Sequence, residues 1–286
     1  MKLLRVGPPG AERPVVLGQD GTAYDLSGVT PDIDGGFLAG LDATALAELA
    51  GAAAAGRLPV ADIAGRRVGA PVARPGKVVG IGLNYRDHAA EAGAAIPDEP
   101  VIFLKPSSTV VGPYDEVLVP RGGEKTDYEA ELAVVIGRTG RYLEDHAAAA
   151  AVIAGYTIAN DVTERAFQFE RGGQWDKGKS AETFTPLGPW LVTADEVADP
   201  QRLPLRLWVN GELRQDGSTG QMVFPVLELV RYASWFMVLE PGDVIVTGTP
   251  AGVTLGRPGT PFLAPGDVVE IEIDGLGRQR QVLGKA

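Results

Sequence analysis

Residues 125–138 read KTDYEAELAVVIGR, and the run LAVVIG after Glu131 carries no polar side chain. Side chains alternate between faces along a strand, so a run apolar at both parities belongs to a strand buried on both sides. Glu129 and Glu131, two positions apart, then share one face at its entrance. One reading makes them a solvated strand face. The other makes them a buried pair, and buried carboxylates that repel each other must take up a proton or hold a cation.

Working outward, β-branched and aromatic segments recur on both sides of this run: VIFLKP, VLVP, GYTIAND, PWLVT, LRLWVNGELR, DVIVTGTP and DVVEIEIDGLG. Each reads as a strand, whereas helical patterns are few, the clearest being HAAAAAVIA and VFPVLELVRYASWFM. KVVGIGLNY predicts a strand, followed by a short helix in RDHAAEAG that ends at Gly93. The pattern predicts a β-rich α+β fold rather than regular alternation of strand and helix. Upstream, LLRV and PVVLGQDGTAYDL predict short strands, and ATALAELAGAAAAG predicts an Ala-rich helix stopped by Gly56. GAPVARPGK reads as a linker. The expectation is a small N-terminal α/β domain over 1–70 and a main domain over 71–286.

The chain has 286 residues, a net charge of −11 and no Lys/Arg run, which argues against a protein working through nucleic-acid phosphates. Its apolar stretches fall short of the roughly 20 residues of a membrane span, and its start lacks a signal-peptide core. We therefore expect a cytoplasmic protein acting on a small molecule. Zero Cys excludes thiol nucleophiles and thiolate-bound zinc, and two His exclude a multi-histidine metal site. Any metal must be held mainly by oxygen, as Mg²⁺, Mn²⁺ and Ca²⁺ are.

Residues 173–180, GQWDKGKS, match the phosphate-loop pattern letter for letter. That motif needs a buried strand before it and a helix starting at its Lys-Ser. Here a charged segment precedes, and Pro186 and Pro189 stand where the helix should run. Trp175 and Asp176 also put bulk and negative charge where phosphate would sit. Nucleotide binding is rejected, and Lys179 needs another role.

A third oxygen ligand for a cation could come from GYTIANDVTERAFQ, where an apolar stretch ends on Asn160-Asp161. His88 and Glu91, at i and i+3, are either a surface ion pair or a His-Glu dyad in which Glu91 orients the ring while His88 takes a proton from water. His146, at a helix start, reads as a surface residue. Thr247, Gly248 and Thr249 form either an ordinary tight turn or a place where small residues let a ligand approach the backbone.

In order, GIGLNYRDHAAE, PVIFLKPSS, DYEAELAVVIG, GYTIANDVTERAFQ, KGKSAETFTPLGPWLVT, VNGELRQDGST, LEPGDVIVTGTPAGV and GDVVEIEIDGLG resemble the blocks of the fumarylacetoacetate hydrolase superfamily, over about residues 75–280. Within it, ERAFQFERGGQWDKGKS followed by GPWLVTADEVADP is most similar to bacterial hydrolases of 2,4-diketo-3-deoxy-L-fuconate and -rhamnonate. The resemblance implies a mixed β-sandwich roll, a homodimer, and Mg²⁺ or Mn²⁺ held by Glu129, Glu131 and Asp161. It implies a catalytic His88 and Glu91, with Lys179 as a cation beside the carboxylates and an anionic substrate. Gln168 and Thr249, with the adjacent Gly248, match positions contacting the substrate. Ala181 and Glu182 depart from the family pattern, which leaves that wall of the pocket open.

The implied reaction is hydrolysis of the C3–C4 bond of a 2,4-diketo acid to pyruvate and a second carboxylic acid. Other members of the scaffold decarboxylate oxaloacetate or isomerise hydroxymuconates through a metal-bound enolate. A non-catalytic protein that binds a metal or a sugar acid is the remaining alternative.

Overall fold

The computed structural model describes all 286 residues. Every residue of strand Ala130–Ile136 is buried, as a run apolar at both parities requires. It sits inside an eleven-stranded sheet whose main path runs Ala23–Asp25, Arg13–Leu17, Lys2–Val6, Thr185–Thr193, Ile153–Asn160, Ala130–Ile136, Val244–Val246, Val78–Gly82, Val101–Lys105. A second sheet of five strands is built on Pro204–Val209 and Val268–Ile273. Strict alternation along these two strands buries Leu205, Leu207 and Val209, and Val269, Ile271 and Ile273, a sheet with one wet face.

The two parities of Ala130–Ile136 serve different cores. Leu132, Val134 and Ile136 join Leu205, Leu207, Ile271 and Ile273, together with Val226, Leu229, Val230 and Ala233 of helix Val226–Phe236. Ala133 and Val135 face a smaller core with Leu3, Val16, Leu26, Ile33 and Leu38. Residues 1–70 reach the long sheet directly, Leu3 pairing with Leu191. The result is the β-rich α+β fold predicted.

Elements mostly fall where the pattern placed them. The Ala-rich helix spans Ala43–Ala54, with Gly56 at φ +64°, and the short helix spans Arg86–Glu91, with Gly93 at φ +61°. HAAAAAVIA corrects the expectation: the helix covers only His146–Ala151, and Ile153 already belongs to a strand. Sheet pairing of the β-branched residue overrides a helical tendency carried by a run of alanines. His146 lies exposed with Nε2 3.2 Å from Glu228 Oε2.

Gly155 shows how closely the central strands approach. A Cβ there would lie 2.1 Å from Val192 O, a backbone atom held in the sheet. Gly155→Ala should therefore cost about 1–3 kcal/mol, read as a lower denaturant midpoint with an unchanged m-value.

Candidate active site

The site follows from strand register. Ala130 pairs with Asn160, and one step further the Asp161 N–H donates to Glu129 O at 2.9 Å, so Glu129 and Asp161 stand opposite each other on one face. On the other side Ala133 pairs with Val246, and the same register carried on brings the Gly248 N–H to Glu131 Oε2 at 2.7 Å. One oxygen each from Glu129, Glu131 and Asp161 lies within 4.8 Å of the others, and all three residues are buried. A buried set of hard oxygen donors at this spacing fits a divalent cation, as do few other uses of three carboxylates.

Three cations, all buried, pack around these acids. Lys179 Nζ donates to Glu129 Oε2 at 2.7 Å and to Asp161 Oδ2 at 2.6 Å. Arg165 donates to Glu129 Oε1 at 2.6 Å and to Asp127 Oδ2 at 2.9 Å. Lys105 Nζ is bonded to Asp161 Oδ1 and donates to Phe184 O at 2.8 Å. Burial pushes the Glu129 carboxyl up, but Lys179 and Arg165 outweigh it and hold the group at about 2. Glu131 has no ammonium or guanidinium bonded to it. Burial, and then the charges of Asp161 and Glu129, push its carboxyl well above the ordinary range. Burial opposes protonation of Lys179, yet Asp161 and Glu129 raise it, whereas burial wins at Lys105 and lowers it.

A cleft of about 250 Å³ opens over the carboxylates, lined by Glu129, Glu131, His88, Lys179, Gln168 and Thr249 among others. Asp161 is fully buried beneath it. His88 comes from helix Arg86–Glu91, and its Nδ1 makes no hydrogen bond; it lies 3.7 Å from Glu91 Oε2, beyond hydrogen-bond range. Glu91 instead accepts the Gly252 N–H, at 2.9 Å to Oε2, which ties the short helix to the loop after Val244–Val246.

The other expected residues are engaged as follows. Gln168 Oε1 accepts from Arg165 at 3.1 Å. Thr249 donates its hydroxyl to Ala130 O at 2.9 Å and accepts from Gln215 Nε2 at 2.8 Å, so its proton is committed to the protein. Gly248 directs its N–H at Glu131 rather than into the cleft. The segment 173–180 folds as a four-residue helix, Asp176–Lys179, followed by strand Thr185–Thr193, and it delivers Lys179 to the acids instead of forming a phosphate cradle.

Lys105, Arg165 and Asp127 were not singled out from sequence. A lysine ending the apolar strand VIFLK is the signal that could have marked Lys105, since a charge there needs a buried partner. Asp127 also accepts the Thr254 and Leu255 N–H groups at 2.9 and 3.1 Å, anchoring one wall of the cleft. Tyr85 is wholly buried with its hydroxyl unpartnered, and burial followed by the Glu131 charge raises its phenol well above the ordinary value.

Residues 77–283 match the family described as fumarylacetoacetate (FAA) hydrolase, C-terminal. The chain belongs to the fumarylacetoacetate hydrolase family. A Burkholderia ambifaria relative whose name goes no further than "hydrolase" is 52% identical over 283 residues, 98% of each chain. Among solved structures of the family, fumarylacetoacetate hydrolase from Exiguobacterium antarcticum is 35% identical over 100% of both chains, with a TM-score of 0.86. Maleylpyruvate hydrolase from Sphingobium sp. SYK-6, solved with manganese(II) and pyruvate, is 30% identical over 100% of both chains, with a TM-score of 0.80. A 5-carboxymethyl-2-hydroxymuconate delta-isomerase from Mycobacterium smegmatis is 34% identical, covering 100% of this chain and 99% of its own, with a TM-score of 0.76. Hydrolases and isomerases thus share this family's fold. No helix is long and apolar enough to cross a membrane.

Proposed function

We propose that this protein is a divalent-metal-dependent hydrolase that splits a 2,4-diketo acid into pyruvate and a second carboxylic acid. The observation that carries the reading is the buried Glu129, Glu131 and Asp161 set beneath a small cleft that also holds Lys179 and an unpaired His88 nitrogen. Mg²⁺ or Mn²⁺ held by the three carboxylates would supply Lewis acidity and a template for the substrate's C1 carboxylate and C2 oxygen. The manganese and pyruvate in the Sphingobium relative support the same chemistry here.

The chain's own groups do the rest. His88 takes a proton from water as the oxygen adds to C4, and Glu91, 3.7 Å away, steadies the imidazolium. The C3–C4 electron pair then passes to C3, releasing the second acid and leaving pyruvate enolate. Lys179 faces the developing negative charge, with Gln168 and Thr249 around the carboxylate end, while Gly248 holds Glu131 in place through its N–H. His88 returns the proton to C3 and completes the pyruvate methyl group. The protein acts as a homodimer in this reading, which light scattering would report as twice 29.9 kDa.

Pyruvate release from a panel of 2,4-diketo acids, with Mg²⁺ or Mn²⁺ and then with chelator, tests the proposal. We expect pyruvate only with metal; none from any diketo acid would exclude hydrolysis. The isomerase relative supports a second reading, enolate chemistry without water attack, which includes oxaloacetate decarboxylation. Turnover of oxaloacetate or a hydroxymuconate with no diketo acid cleaved would favour it. His88→Ala should lower hydrolysis about 10²–10⁴-fold while the thermal shift on adding Mn²⁺ stays intact, because His88 is not among the carboxylate set.

A further inference from the structure

The cleft has two chemically different ends. Apart from His88, each polar side chain lining it belongs to the carboxylate floor or is tied to it: Lys179 and Arg165 bond Glu129, Gln168 bonds Arg165, and Thr249 bonds Ala130 O between the two glutamates. His88 lines the same cleft with its Nδ1 unpaired. The remaining lining is largely apolar, with Phe103, Trp175, Phe169, Ile81, Leu83 and Leu255 as its large members.

These aromatics form a built surface. Phe103 lies 6.0 Å from Trp175, ring centre to ring centre, and Trp175 lies 6.4 Å from Phe169, both edge to face. The Lys179 ammonium sits 5.0 Å from the Phe103 ring centre, so the row of rings starts at the charged floor. Strand Val78–Gly82 makes room for it with two glycines on one face. A Cβ on Gly80 would fall 2.2 Å from the Phe103 ring, and one on Gly82 would fall 2.2 Å from the Trp175 ring. Phe169 at the far end is left 45% exposed and Trp175 half-buried, although aromatic surface gains most from being covered.

We propose that this shelf binds the acyl tail of the substrate and selects an unsubstituted short alkyl or single-ring aryl group over a hydroxylated one. The inference rests on the 2,4-diketo acid reading above and departs from the lactoyl tail, with its C5 hydroxyl, of the fuconate and rhamnonate derivatives that the resemblance implies. A hydroxylated tail laid on the rings would lose its hydrogen bonds to water and find few side-chain partners, since His88 Nδ1 is the unpaired atom of the cleft and the other polar groups are engaged with the floor. The cleft, at about 250 Å³, lies below the roughly 300–1,000 Å³ of pockets that take larger ligands, which limits the tail to about one ring.

Two uncleavable 2-keto acids test the shelf by calorimetry with Mn²⁺ present: 4-phenyl-2-oxobutanoate and 4,5,6-trihydroxy-2-oxohexanoate. Both keep the carboxylate and lack the C4 carbonyl, and because the trihydroxy acid also closes to a cyclic hemiketal at C2, its affinity is referred to the open-chain fraction measured by NMR. We expect the phenyl compound to bind about 100-fold more tightly. Trp175→Ala and Phe169→Ala should each narrow that ratio, about tenfold for Trp175; the exposed Phe169 serves as the variant least able to disturb folding. Equal binding, or preference for the trihydroxy acid, would overturn the shelf assignment. In parallel, benzoylpyruvate should exceed a 2,4-diketo-3-deoxy sugar acid in kcat/KM. Pyruvate from neither would overturn the hydrolase reading alone, the binding ratio still deciding the shelf.

Discussion

Glu131→Gln is expected to abolish turnover and the thermal shift produced by Mn²⁺, while the metal-depleted variant melts no lower than the unaltered protein. Glu131 is buried, receives only the Gly248 N–H, and sits within 4.8 Å of two other carboxylates. Its charge is a cost to the fold unless a cation offsets it. Glutamine keeps the shape and removes that charge, so stability and activity should move independently. A cation at 100 times its Kd stabilises the native protein by about 2.7 kcal/mol, and this increment is what differential scanning calorimetry should find missing. Glu129→Gln should lose the same two functions but also destabilise, because Glu129 neutralises both Lys179 and Arg165. Turnover unchanged in either variant would sink the assignment of the carboxylates.

Lys179→Met should have the second largest effect, with opposite signs on two readouts. Its ammonium bridges Glu129 and Asp161, which are both buried. Losing one partner of a buried charge pair costs about 3–5 kcal/mol, so the chelator-treated variant should melt well below the parent. Mn²⁺ should recover part of that loss, giving a larger thermal shift than in the parent. Turnover should nonetheless fall about 10²–10³-fold, since no ammonium remains to meet the negative charge that develops on the leaving enolate. Activity within a few-fold of the parent at saturating Mn²⁺ would remove Lys179 from the chemistry and leave it a structural counterion.

How much of this was legible beforehand depended on whether the signal was local. Apolar residues at both parities after Glu131 marked a doubly buried strand, and the spacing of Glu129 and Glu131 put them on one face, because strand geometry alone determines both. The two prolines after Ser180 ruled out a phosphate loop for the same local reason. HAAAAAVIA reads as helix to its end, yet Ile153 pairs with Ile136, a contact its neighbours in sequence do not announce.

By itself, then, the chain determined a β-rich fold, hard oxygen ligands in place of thiolate or imidazole, and two acids side by side. Only the tertiary structure decided that Asp161 stands opposite Glu129, that Lys105 and Arg165 complete the charge balance, and that Gly80 and Gly82 seat an aromatic shelf. Those relations join residues 23 to 93 positions apart, from Gly80 with Phe103 to Gly82 with Trp175. They depend on the register between strands, which is settled by the packing of both faces at once rather than by any one segment.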